Sequence, residues 1–96
     1  MTTPAWDSAS WHARFRLDGR VAIVTGASSG LGVAIAHGMA SMGADVAIGA
    51  RRFAQLEETR TSIESLGVRC IAVETDVTRI EDCDRLVAAA MEAFGR

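Results

Sequence analysis

Val21-Ala22-Ile23-Val24-Thr25-Gly26-Ala27-Ser28-Ser29-Gly30-Leu31-Gly32 is the stretch that decides the fold of this 96-residue chain. Its first residues form an apolar run suited to a strand covered on both faces, expected over residues 20–25. Three glycines in seven residues follow, spaced Gly-x-x-x-Gly-x-Gly, and they lead directly into a helix expected to start near Leu31. Glycine permits a tight turn and a close approach of backbone to a ligand. A helix start exposes unpaired N–H groups and a partial positive charge of about half a unit, which suit an anion. A glycine turn between strand and helix is therefore read as a cradle for the pyrophosphate of a dinucleotide.

Outward from this turn the chain reads as three strand–helix units. Leu31, Ile35, Gly38, Met39 and Met42 recur at helical steps and predict the first helix with its apolar face, ended by Gly43. Asp45-Val46-Ala47-Ile48-Gly49-Ala50 predicts the second strand. Phe53, Leu56, Arg60, Ile63 and Leu66 mark a second helix closed by Gly67. A third strand is expected over 68–73, then Glu74-Thr75-Asp76-Val77. Thr78 and Glu81 have the spacing of a capping box for a third helix. That helix is expected to bury Ile80, Cys83, Val87, Ala90, Met91 and Phe94 and to stop at Gly95. This alternation predicts an α/β architecture with a parallel sheet.

Composition narrows the function. Hydrophobic residues at 49% and charged ones at 23% are globular values. A formal charge of −2 argues against nucleic acid or an acidic membrane surface as partner. No apolar run approaches the ~20 residues of a membrane span. Residues 1–17 carry Trp6, Trp11 and Phe15 without strand or helix period, lack the pattern of a secretory signal, and are read as an arm preceding a domain over 18–96. Cys70 and Cys83 are too few for a metal site and are read as small buried hydrophobes in a cytoplasmic protein. His12 and His37 have no partners by spacing. There is no tyrosine, and all ten basic residues are arginine.

Taken together, Asp18-Gly19-Arg20, Thr-Gly-x-x-x-Gly-x-Gly, Gly43-Ala44-Asp45, Ala50-Arg51-Arg52 and Asp76-Val77 resemble the start of a short-chain dehydrogenase/reductase, over residues 17–96. The resemblance implies the N-terminal half of a doubly wound Rossmann fold, with parallel strands ordered 3-2-1. It implies an oxidoreductase that moves hydride between a nicotinamide dinucleotide and an alcohol or carbonyl substrate. Members continue into a fourth strand, a catalytic serine and a Tyr-x-x-x-Lys pair. The chain has no such pair, so no catalytic residue is assigned and these 96 residues alone are expected to be inactive. The substrate belongs to the complete protein, and a homo-oligomer is compatible with it. The alternative is a non-catalytic nucleotide-binding or interaction module, or the remnant of a decayed gene. The first strand, with no fourth beside it, would then be an open edge available to another chain.

The resemblance also assigns roles. Gly26, Ser28, Ser29, Gly30, Leu31 and Gly32 correspond to the turn around the cofactor's phosphates and adjoining ribose. Asp76 and Val77 correspond to the pair that holds the adenine. Each has a structural alternative: Ser28 and Ser29 can satisfy helix-start N–H groups, and Asp76 can simply make a turn before Thr78. Thr25 is read as structural. An NAD site usually ends its second strand in an acid, yet that position is Ala50, and Asp45 lies at the strand's opposite end. Arg51 and Arg52 follow instead. Their planar, permanently charged forks match a 2′-phosphate, so NADP is expected over NAD, the alternative being two solvated helix-start residues.

Overall fold

A computed structural model describes residues 16–95. The elements are β1 (Val21–Thr25), α1 (Gly30–Ser41), β2 (Asp45–Ala50), α2 (Phe53–Glu64), β3 (Cys70–Glu74) and α3 (Ile80–Phe94). The three strands are parallel in the order β1-β2-β3, the expected 3-2-1 order read from the other edge. Val21 lies opposite Asp45, and Val46 opposite Cys70. Most of the arm expected over 1–17, with Trp6, Trp11, His12 and Phe15, lies outside the described residues.

β2 is central, and its five residues from Val46 to Ala50 are all buried. Alternate side chains serve opposite faces, as the two-residue period of a strand requires. Val46, Ile48 and Ala50 join Val24, Ala36, Ala40, Leu56 and Ile63 in the core under α1 and α2. Ala47 meets Leu86, Ala90 and Phe94 of α3 on the other face. Burying a side chain such as Leu56 or Leu86 contributes about 1.5–3 kcal/mol.

The helix faces differ from those expected. α1 buries Ala36 and Ala40, while Leu31 is 76% exposed and Ile35 42%. Small side chains let this helix lie close to the sheet, so the larger stripe of Leu31, Ile35 and Met39 turns outward. α2 does bury Leu56 and Ile63, and adds Thr59. The Thr59 hydroxyl tolerates burial because it donates to the Gln55 carbonyl at 3.2 Å. Arg60 stays at the surface end of its stem, paired with Glu57 and Glu64. Phe53 and Leu66 are exposed.

On α3 the buried line is Leu86, Ala90 and Phe94. Ala90 and Phe94 are as expected; Ile80, Val87 and Met91 face outward and Cys83 is half-buried. Gly49 explains the rotation. A Cβ there would lie 2.8 Å from Leu86 Cδ2 and 2.7 Å from Thr75 Oγ1, so the bare backbone of β2 is where Leu86 seats. Phe94 is held at the far end, with the Arg69 guanidinium 5.0 Å from its ring centroid. Asp45 in turn accepts from the Arg69 backbone N–H at 2.9 Å and from its Nη2 at 2.7 Å. That places Asp45 at the end of the sheet away from the glycine turn, as its position in the strand implies.

Candidate functional site

The carboxyl ends of all three strands open onto one side of the sheet, where open α/β sheets bind their ligands. A hollow of about 530 Å³ lies there, lined by Gly26, Ser28, Ser29, Ala50, Arg51, Arg52, Thr75, Asp76, Val77 and Thr78. Seven of the ten candidate residues thus converge on one space, from three separate loops. Gly30, Leu31 and Gly32 do not line it.

The turn after β1 is fastened from beneath. The Gly49 carbonyl accepts from Gly26 N at 2.8 Å and from Ala27 N at 3.4 Å, and Ala27 is fully buried. Gly26 and Gly30 have φ of +70° and +60°, values that favour glycine. Gly32 has another reason to lack a side chain. A Cβ there would overlap the Gly26 carbonyl oxygen and lie 2.6 Å from its carbon. The first turn of α1 therefore rests directly on the loop backbone, and its N-cap residue, Ser29, lines the hollow. Ser29 is the N-cap residue, extended at φ −163°, and its side chain caps nothing. Neither serine hydroxyl is bonded to a described residue, so the structural alternative for the pair is not realised in this conformation.

At the end of β2, Arg51 and Arg52 are both exposed, and neither makes a direct ion pair among the described residues. Arg52 begins α2 through its carbonyl, which accepts from Leu56 N at 3.0 Å. The end of β2 consequently offers two guanidinium groups without a direct ion pair among the described residues, and Ala50 where an acid would stand.

The third loop is organised by Asp76. Its Oδ1 accepts from Thr78 N at 3.0 Å and from Thr78 Oγ1 at 2.6 Å, so the turn role foreseen as an alternative is real. It uses one carboxylate oxygen. The Thr78 hydroxyl and then its N–H hold the Asp76 carboxyl below its usual range, with the charges of Arg51 and Arg79 acting in the same direction. The capping box expected from Thr78 and Glu81 is not formed. α3 takes Arg79, one residue beyond Thr78, as its N-cap and begins without a side-chain cap, so the Thr78 hydroxyl, which donates to Asp76, lies a position too early to cap it. Thr75, fully buried under Gly49, donates its hydroxyl to the Val73 carbonyl at 2.8 Å and its N–H to Ala50 at 2.9 Å.

Thr75, Gly49 and Asp82 were not singled out from sequence as site residues, and Thr78 was read as a helix cap. Only Gly49 carried a signal, since a glycine inside a strand often marks close approach by another group. Cys70 is buried, which pushes its thiol up to about 12 and leaves it unreactive. Among the described residues no cluster of His, Cys, Asp or Glu could hold a metal ion, and no helix is long and apolar enough to cross a membrane.

Residues 20–96 match the family model of short chain dehydrogenases. Over 79 residues the chain is 47% identical to a glycine betaine reductase of Emericella nidulans, covering 82% of this chain and 6% of that protein. The solved L-sorbose reductase of Gluconobacter frateurii, complexed with NADPH and L-sorbose, is 40% identical and superposes with a TM-score of 0.79 over 84% of this chain and 31% of its own. A short chain dehydrogenase/reductase of Burkholderia phymatum, in complex with NAD, is 38% identical with a TM-score of 0.80, over 85% and 29%. The chain spans about a third or less of the length of these relatives.

Proposed function

The chain belongs to the short-chain dehydrogenase family, and from that premise we propose that it is the dinucleotide-binding part of an NADP-dependent oxidoreductase acting on an alcohol or carbonyl substrate. In this reading Gly26, Ser28, Ser29, Gly30, Leu31 and Gly32 form the turn around the pyrophosphate and adjoining ribose. Asp76 and Val77 hold the adenine, the free carboxylate oxygen of Asp76 accepting from its amine. Arg51, with Arg52 beside it, takes the 2′-phosphate. When bound, the nicotinamide would accept or give the hydride.

One observation carries the choice of NADP: the end of β2 is Ala50 followed by two guanidinium groups without direct ion pairs among the described residues, at the rim of the hollow. An acid there would grip ribose hydroxyls and repel a phosphate; arginines do the reverse. The fit of the phosphates is supported by Gly26, Ser28 and Ser29, which line the hollow with serine hydroxyls that bond nothing else in the loop, and by Gly32, whose lack of a Cβ lets the helix close onto that turn.

The activity itself is assigned to a protein that supplies a serine and a Tyr-x-x-x-Lys pair, because these 96 residues contain neither tyrosine nor lysine. Residues 18–96 form the nucleotide-binding domain of this reading, and 1–17 its arm. The free thiols of Cys70 and Cys83 support a cytoplasmic setting. A second reading, a nucleotide-binding module without catalysis, draws on the same absence of tyrosine and lysine.

The test is Arg51→Ala in the protein carrying this chain, titrated with NADPH and NADH. A charge-assisted phosphate contact is worth about 1.5–3 kcal/mol, so the preference for NADPH should fall roughly ten- to a hundredfold. An unchanged ratio of the two affinities would show that Arg51 does not read the phosphate.

A further inference from the structure

We propose that Asp82 is a positioning residue for the adenine side of the site, acting through the backbone of Asp76. The proposal rests on the reading of Asp76 given above.

Asp82 lies in the first turn of α3, six residues beyond Asp76. Its Oδ2 accepts from the Asp76 backbone N–H at 2.9 Å. Its Oδ1 accepts from Arg85 Nη2 at 3.0 Å, and the Asp82 side chain is only 14% exposed. A carboxylate in this turn commonly bonds a helix-start N–H or the N-cap N–H. Here it reaches past both, to a residue three positions before the N-cap Arg79. It therefore serves the loop and not the helix.

The result is that Asp76 is held at every polar atom but one. The Asp76 N–H is taken by Asp82, and the Asp76 carbonyl accepts from Arg79 N at 2.9 Å. Asp76 Oδ1 takes both donors of Thr78. Among the described residues no donor is bonded to Oδ2, which belongs to a residue lining the hollow. With the backbone clamped at N–H and carbonyl, and one carboxylate oxygen occupied, the remaining oxygen has one place to be. An anionic acceptor is apt for the clamp, because charge-assisted bonds are shorter and stronger than neutral ones and an acid is favoured near a helix N-terminus. Arg85 then fixes the clamp's own rotamer.

Three variants of the full chain test this by NADPH titration, each with its melting temperature and the exchange rate of the Asp76 amide. Asp82→Ala removes the acceptor and should weaken binding about tenfold, with the Asp76 amide exchanging faster while the amides of β3 keep their protection. Asp82→Asn retains an amide oxygen that can accept from Asp76, and should bind within about threefold of the wild type. Asp76→Ala should weaken binding at least as much as Asp82→Ala. If Asp82→Ala does not fold, Asp82→Leu, of similar volume and without an acceptor, takes its place. Unchanged affinity in Asp82→Ala beside a weakened Asp76→Ala would overturn the positioning role and leave the adenine reading standing. Unchanged affinity in Asp76→Ala would remove the adenine reading, and the positioning role with it. Equal losses in the Ala and Asn variants of Asp82 would also overturn the proposal, since the retained oxygen would then count for nothing.

Discussion

Two glycines of α1 make opposite predictions for the same substitution. In a helix interior glycine is less favourable than alanine by about 1 kcal/mol, so propensity alone expects both Gly32→Ala and Gly38→Ala to stabilise. The surroundings differ. A Cβ at Gly38 meets nothing within 4 Å, whereas one at Gly32 overlaps the Gly26 carbonyl. Overpacking costs about 1–3 kcal/mol, and the upper part of that range applies because the atom met is backbone and cannot rotate aside. Subtracting the propensity gain leaves Gly32→Ala destabilised by about 2 kcal/mol and Gly38→Ala stabilised by up to about 1 kcal/mol. For a domain of this size 1 kcal/mol moves Tm by roughly 4–8 °C, so the first variant should melt roughly 8–16 °C lower. Urea denaturation of both variants, read by far-UV circular dichroism, gives the two free energies directly. Equal stabilisation by the two substitutions would refute the claim that α1 rests on the turn backbone.

The Asp76 carboxyl is held below its usual range chiefly by Thr78, so Thr78→Ala should move its titration upward in a carbon-13 NMR experiment. Because the folded value is the lowered one, this group's contribution to stability is present above the ordinary carboxylate value and lost as pH falls through the folded value; Thr78→Ala should accordingly begin to unfold in acid at a higher pH than the wild type. The two thiols should separate under iodoacetamide at pH 8: Cys83 is labelled in the native chain, and Cys70, buried and pushed up to about 12, only after unfolding. Mass spectrometry of the labelled peptides checks this, and native labelling of Cys70 would contradict its burial.

The order of elements was legible because two periods alternate along the chain and the glycines punctuate them. β2 runs over Asp45–Ala50 as expected, since every residue in it after Asp45 is small or apolar and Gly43 and Arg51 flank it. The helix faces were less legible. Hydrophobicity points to Ile35 and Met39, but close packing selects Ala36 and Ala40, whose small size counts for little in a hydrophobic pattern. On α3 the decisive partner is an absence, the missing side chain of Gly49, and contact between distant elements leaves no period in a sequence. Much the same holds for the site. Gly26, Ser28, Ser29, Arg51, Arg52, Asp76 and Val77 could be named from motif and strand position, and they meet at one hollow. The Thr78 and Asp82 contacts could not, because Thr78 read as a cap and Asp82 fits no motif.

Nitrogen-15 chemical-shift mapping of the chain with NADPH tests most directly whether main-chain donors after β1 receive the dinucleotide's phosphates. The account predicts that the largest amide shifts fall on Ser28, Ser29, Gly30 and Leu31, with further shifts at Arg51 and Asp76. Saturating NADPH that leaves those four amides unmoved would contradict it, whatever else in the spectrum shifts.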